Sequence, residues 1–257
     1  GWEYKCKSDP TSPNTLILLR EGGPYNFSLA NPQDTTKTTP ADSAVACAIE
    51  SLATITGGTF AGSVANGGTI ENGTFEGEVK NYRTISGGTF ESTCSVINEK
   101  AITGGKFECA VTNDAGGTIS GGTFNGDVIN FEKISDGTFE GSVTNYSDIE
   151  KGTFKGEVKN HNGTISGGKF EGTVINDVNG TISDGTFNKE VSNINGNISN
   201  GTFNKTVKND AGGTISGGTF AAGLSDNDGS VTGGAFNGKT GLTTKAHQVT
   251  VTNGSVS

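Results

Sequence analysis

The chain has 257 residues, 31% of them hydrophobic, with a net charge of -9 and a pI near 4.7. That acidity argues against nucleic-acid binding, which rests on neutralising phosphates with Lys and Arg. Membrane insertion is not expected either, because the longest apolar run, LILL at 16–19, falls far short of the roughly 18 residues of a spanning helix. Forty-two glycines against five prolines fit a chain that turns corners often, and the strict periodicity below excludes a flexible linker or collagen.

Residues 1–53 lack any repeat and are expected to form an N-terminal cap. Trp2 and TLILL supply strands to it, and ADSAVACAIESLA at 41–53 reads as a short amphipathic helix. That stretch follows a proline, offers Asp42 or Ser43 as N-cap, and spaces Val45, Ile49 and Leu52 along one helical face. Such a helix closes the open end of a stacked core, which would otherwise be a template for pairing.

From 54 to 242 one phrase recurs. Phe60, Phe75, Phe90, Phe107, Phe124, Phe139, Phe154, Phe170, Phe187, Phe203, Phe220 and Phe236 mark twelve copies, 15–17 residues apart. A fixed short period of this kind is the signature of a solenoid. Five residues before each Phe stands Ile, or Val in the last copy; two before is always Gly; four after is usually Val. Two residues beyond that Val comes asparagine, at Asn66, Asn81, Asn98, Asn113, Asn130, Asn145, Asn160, Asn176, Asn193 and Asn209. Fifteen residues are too few for a strand–helix unit, and the β-branched enrichment favours strands. The predicted fold is all-β: a single-stranded parallel β-helix of about twelve coils, each with three short strands carrying Ile, Phe and Val inward and a glycine corner before Phe. Stacked asparagines, whose amides both donate and accept, form a hydrogen-bonded ladder. Residues 243–257 alternate like a last strand or partial cap.

The cysteines test this register. FESTCSVIN is two residues longer than its counterparts; with the extra pair in the corner, Cys94 falls in the column occupied by Cys109 of the next coil. Cysteines one coil apart are about 5 Å apart at Cα, which predicts a Cys94–Cys109 disulfide and leaves Cys6 and Cys47 to tie down the N-terminal segment. Disulfides point to an oxidising compartment. The start at Gly1 rather than Met fits a removed signal peptide.

The Ile-x-x-Gly-x-Phe-x-Gly-x-Val-x-Asn rhythm, covering about 55–240, resembles repetitive parallel β-helix proteins of bacterial cell surfaces. The resemblance implies a secreted or wall-associated protein serving adhesion, scaffolding or carbohydrate contact, and carries over no functional residue. The calcium-binding G-G-x-G-x-D nonapeptide is absent, and left-handed hexapeptide coils run in sixes, so a right-handed helix is favoured.

No catalytic, cofactor or metal site emerges. His161 and His247 lie far apart, and the outward acidic column of Glu78, Asp127, Glu157 and Glu190 has no long loops to make a groove. The candidate contact surface is an aromatic file beside the asparagines: Phe131, Tyr146 and His161, with Tyr82 further along. The threonines flanking Ile resemble the ranks of ice-binding solenoids, but charges such as Lys133 and Asp148 interrupt them; a second threonine column before Phe, interrupted by Lys106 and Lys169, reflects β-propensity. The expectation is a non-enzymatic structural or adhesive module, displayed as a stiff rod. Its partners would be glycans or cell-surface proteins, with end-to-end or side-by-side self-association. A carbohydrate-active β-helix and an ice-binding protein are the alternatives.

Overall fold

The structure, a computed structural model, describes residues 54–237 in full. Ahead of them it describes the backbone of four strands, Cys6–Asp9, Ser12–Leu18, Asn26–Phe27 and Ala48–Ser51. Trp2, the expected C-terminal strand over 243–257 and the end of the repeat over 238–242 lie outside the described residues. Among the described residues every regular element is a strand. The chain forms two compact units, Gly1–Asp127 and Val128–Ser257.

In the first unit successive coils pair in parallel and in register. Phe60, Phe75, Phe90, Phe107 and Phe124 align from coil to coil. So do Ile55, Ile70, Ile85, Ile102 and Ile119, and Val64, Val79, Val96 and Val111. The second unit repeats the scheme, with Phe columns from Phe139 to Phe236 and Val columns from Val128 to Leu224. The Val strands build one sheet of each unit, and the Ile and Phe strands build the other. The fold is therefore a parallel β-solenoid of stacked coils.

The corner before Phe explains its glycine. All twelve glycines two residues ahead of Phe have φ between 97° and 138°, a region that side chains with a Cβ rarely enter. They also lie against phenylalanine rings: a Cβ on Gly185 would meet the Phe187 ring at 3.1 Å. The rings stack inside, with centroids 4.5–4.8 Å apart and planes within 13° of parallel between stacked neighbours of each unit. From Phe60 to Phe220 each is fully buried, and each contributes about 1.5–3 kcal/mol by leaving water.

The expected helix over 41–53 is corrected. Ala48–Ser51 is a strand, paired in parallel with Ser12–Leu18 on one side and with Val64–Asn66 on the other, with Ile49 opposite Val64 and Ser51 opposite Asn66. Residues 41–47 and 52–53 lie outside the described residues. The helical spacing of Val45, Ile49 and Leu52 yields to the open edge of the first coil, whose backbone donors and acceptors bind any extended segment that reaches them. Asn26–Phe27 extends the other sheet in the same way, with Phe27 opposite Ile55. Cys6–Asp9 turns back antiparallel on Ser12–Leu18.

Candidate functional site

The asparagine column forms the ladder its amides favour. In the first unit Asn66 donates to Asn81, Asn81 to Asn98, and Asn98 to Asn113, each at 2.7 Å. In the second unit the ladder runs from Asn130 through Asn145, Asn160, Asn176 and Asn193 to Asn209, at 2.7–2.8 Å. Each Nδ2 also reaches a backbone carbonyl, as Asn160 does with Gly163 at 2.9 Å. All ten are fully buried, and among the described residues no buried side-chain nitrogen or oxygen lacks a partner. The ladder has an eleventh rung that the sequence reading missed: Asn209 donates to Asn227 at 2.7 Å. Its coil carries one extra residue, so Leu224 and Asn227 keep their columns across a bulge. A search allowing one insertion between Val and Asn would have found it.

Register places Cys94 and Cys109 in one column, between Phe90–Phe107 and Ser95–Ala110, which pair across adjacent coils. The expected disulfide is absent: both residues are free, buried thiols. Adjacent coils are related by a near-translation of about 4.8 Å, so their Cβ atoms stand as far apart as their Cα atoms, beyond the 3.5–4.5 Å that a disulfide requires. The Cα distance alone was the wrong test. The two thiols instead share a hydrogen bond. Cys94 is pushed well above the usual thiol range, first by donating to Cys109 and then by burial. Cys109 is lowered by accepting that hydrogen bond. Cys47 and the Cys6 side chain, hence the second expected bridge, lie outside the described residues.

On the outside, the aromatic file assembles in the second unit. Phe131 and Tyr146 stack with centroids 5.1 Å apart and planes 10° from parallel, and His161 meets Tyr146 edge-on at 5.5 Å. His161 Nδ1 lies 3.4 Å from an Asp177 carboxylate oxygen. Phe131 and Tyr146 are 46% and 40% exposed. Because they lie face to face, they turn edges rather than faces outward. Tyr82, 48% exposed, belongs to the first unit and follows Asn81, while Gly67 and Glu99 follow the neighbouring rungs. The structure thus brings three of the four residues together in the second unit.

Several outward carboxylates engage lysines on their own or a neighbouring coil: Glu78 with Lys80 at 3.6 Å, Glu157 with Lys159 at 3.4 Å, and Lys155 with Glu140 at 2.7 Å. The Glu108 carboxyl is held below its ordinary value, first by its hydrogen bond from Lys106. The threonine column before Phe keeps register, Thr59–Thr74–Thr89–Lys106–Thr123 in the first unit, with the lysine interrupting it.

Fold and ladder define the class: a repetitive parallel β-solenoid with a phenylalanine stack and an asparagine ladder at its core. Compared with protein-family models, with curated proteins and with solved structures, the chain finds no match.

Proposed function

We propose that the protein is a non-enzymatic, extracellular structural and adhesive module of a bacterial surface or secreted protein, making multivalent contacts through its outward columns. The observation that supports this most directly is the contrast between the two sides of each coil. Inward positions repeat Ile, Phe, Val and Asn with little change, whereas outward positions beside the same rungs pass from Phe131 to Tyr146, His161 and Asp177. A scaffold uniform inside and variable outside displays surface chemistry at a fixed spacing, and many weak contacts at fixed spacing add to firm attachment. Glycans and cell-surface proteins are the partners this reading names.

Carbohydrate contact is the second reading, favoured by the exposed Phe131–Tyr146–His161 file with the Asp177 carboxylate beside it. Ice binding ranks below both, because Lys133 and Asp148 stand on adjacent coils in the threonine rank beside Ile; thermal hysteresis of the purified protein tests it. For the leading reading, the protein is passed over immobilised bacterial and host surface polysaccharides and glycoproteins, and reducing ends are assayed after incubation. Retention without new reducing ends is expected. Release of reducing ends overturns the non-enzymatic reading, and failure to be retained on any surface overturns the adhesive one. Retention that survives Tyr146→Ala removes the aromatic file from the contact.

A further inference from the structure

We propose that Cys94 and Cys109 form a two-coordinate binding site for a soft monovalent cation of the Cu(I) type. The column they occupy is glycine in the other coils of the first unit, at Gly62, Gly77 and Gly126. Backbone crowding is the reason: a Cβ on Gly77 would stand 2.5 Å from the Gly62 carbonyl oxygen. In the second unit the column also admits Lys189 and Lys205, and in the first unit side chains enter it at two consecutive coils only. At the first of them the chain is two residues longer, and the turn is closed by the Cys94 N–H donating to the Glu91 carbonyl at 2.8 Å. Both side chains are cysteine, and both are almost withdrawn from water, at 7% and 3% exposure. Stacking alone has no use for a thiol there, since glycine fills the same column in neighbouring coils.

The spacing that defeats a disulfide suits a bridging ion. The two sulfur atoms face each other closely enough to share a hydrogen bond, on backbones about 4.8 Å apart. Two metal–thiolate bonds of about 2.3 Å placed end to end span about 4.6 Å. The site therefore accepts a linear S–M–S unit with little more than a rotation of each side chain. Thiolates select soft ions. Zinc would need two further ligands, and among the described residues no group of three or more His, Cys, Asp or Glu side chains is assembled to hold a metal. A two-coordinate d10 ion of single charge is the class that remains. Binding balances as one Cu(I) taken up, two thiol protons released and one net negative charge left on the bis-thiolate, with no change of oxidation state. The Ser95 carbonyl lies 3.5 Å from the Cys94 sulfur.

The test uses the full chain with Cys6→Ser and Cys47→Ser, so that only this pair carries thiols. Reduced, oxygen-free protein is titrated with Cu(I) held by a coloured chelator, and withdrawal of the ion is read from the loss of colour. One Cu(I) per chain is expected, with affinity lowered roughly 100-fold or more when Cys94→Ser or Cys109→Ser is added, the scale on which metal sites respond to altered ligation. No withdrawal, or unchanged withdrawal in either added variant, overturns the proposal. Because a substitution in so tight a column can itself unfold the coil, the copper-edge X-ray absorption of the 1:1 complex with both thiols intact supplies a second reading. Two sulfur ligands are expected; three or more ligands overturn the site.

Discussion

Asn176→Asp is the sharpest perturbation of the ladder, because it exchanges one NH2 for an oxygen and changes little else. Asn176 Nδ2 donates to Asn193 Oδ1 at 2.8 Å and to the Gly180 carbonyl at 3.1 Å, while its Oδ1 accepts from Asn160 at 2.8 Å. The Gly180 carbonyl keeps a second donor, the Asn197 N–H at 2.8 Å. The loss therefore falls on Asn193 Oδ1. Truncation to Ala leaves that buried acceptor without its Asn176 donor and opens a small void, for about 2–4 kcal/mol. In the Asp variant at neutral pH, a buried carboxylate oxygen faces Asn193 Oδ1, adding desolvation and repulsion to the lost bond, for about 4–5 kcal/mol. Protonation reverses this, because the acid O–H donates to Asn193 Oδ1 and restores the rung.

The native carboxyl therefore has a pKa raised above the unfolded value of about 3.9, by roughly 2–3 pH units for a swing of about 3–4 kcal/mol. Between those two values the native state binds more protons than the unfolded one. Stability relative to the parent thus falls as pH rises from about 4 to about 6–7, and is flat beyond. Urea unfolding followed by circular dichroism at about pH 3.5 and at pH 7, for the parent, Asn176→Asp and Asn176→Ala, reads this directly. At the lower pH Asn176→Asp should be the more stable of the two variants, and at the higher pH the less stable. An Asp-to-Ala difference that does not change sign between the two conditions refutes the donor assignment of the ladder.

Phe170→Ala removes a ring stacked at 4.8 Å and 4.7 Å on its two neighbours and should cost about 3–5 kcal/mol; a urea-measured loss below about 1.5 kcal/mol would mean that the coil collapses onto the void. Gly172→Ala and Gly57→Ala should differ sharply although the chemical change is the same. A Cβ on Gly172 drives into the Gly156 carbonyl, whereas nothing lies within 4 Å of one on Gly57. The first should lose about 1–3 kcal/mol and the second should be neutral or gain up to about 1 kcal/mol; equal melting temperatures would contradict the crowding. Ser51→Asn places an amide one rung before Asn66 and should add about 1 kcal/mol by extending the ladder, with thermal unfolding as the check and no gain as the refutation.

The inward face was legible because stacking makes each coil satisfy its neighbours, so Ile, Phe, Val and Asn recur at spacings that can be counted. Where reading failed, a local rule competed with that one. Ala48–Ser51 carries the Val-x-Asn pattern as Ile49-Glu50-Ser51, but Val45 and Leu52 at helical spacing hid it. Asn227 was lost to a one-residue bulge. The cysteine column was placed correctly and its bond was not, because Cα separation ignores the parallel direction of two Cβ vectors related by translation. The aromatic file was found as a row of letters, but that Phe131 and Tyr146 face each other rather than solvent is a matter of side-chain torsions, which no spacing encodes.

The same division explains why the outward columns are free to carry function. In the first unit Glu76, Glu91 and Glu108 follow the stacked Phe75, Phe90 and Phe107, so three carboxylates stand on consecutive coils. In water two such charges at this spacing repel by about 1 kcal/mol, less with salt. Lys106, on the neighbouring column, pairs with Glu108 at 2.6 Å. A burial term of about 1.5–3 kcal/mol for each phenylalanine beneath them outweighs that repulsion. Folding therefore imposes little on the sign or identity of the outward side chains. Residues there are set by solubility or by contact, and a run of like charge that folding disfavours is where contact has the more room to act.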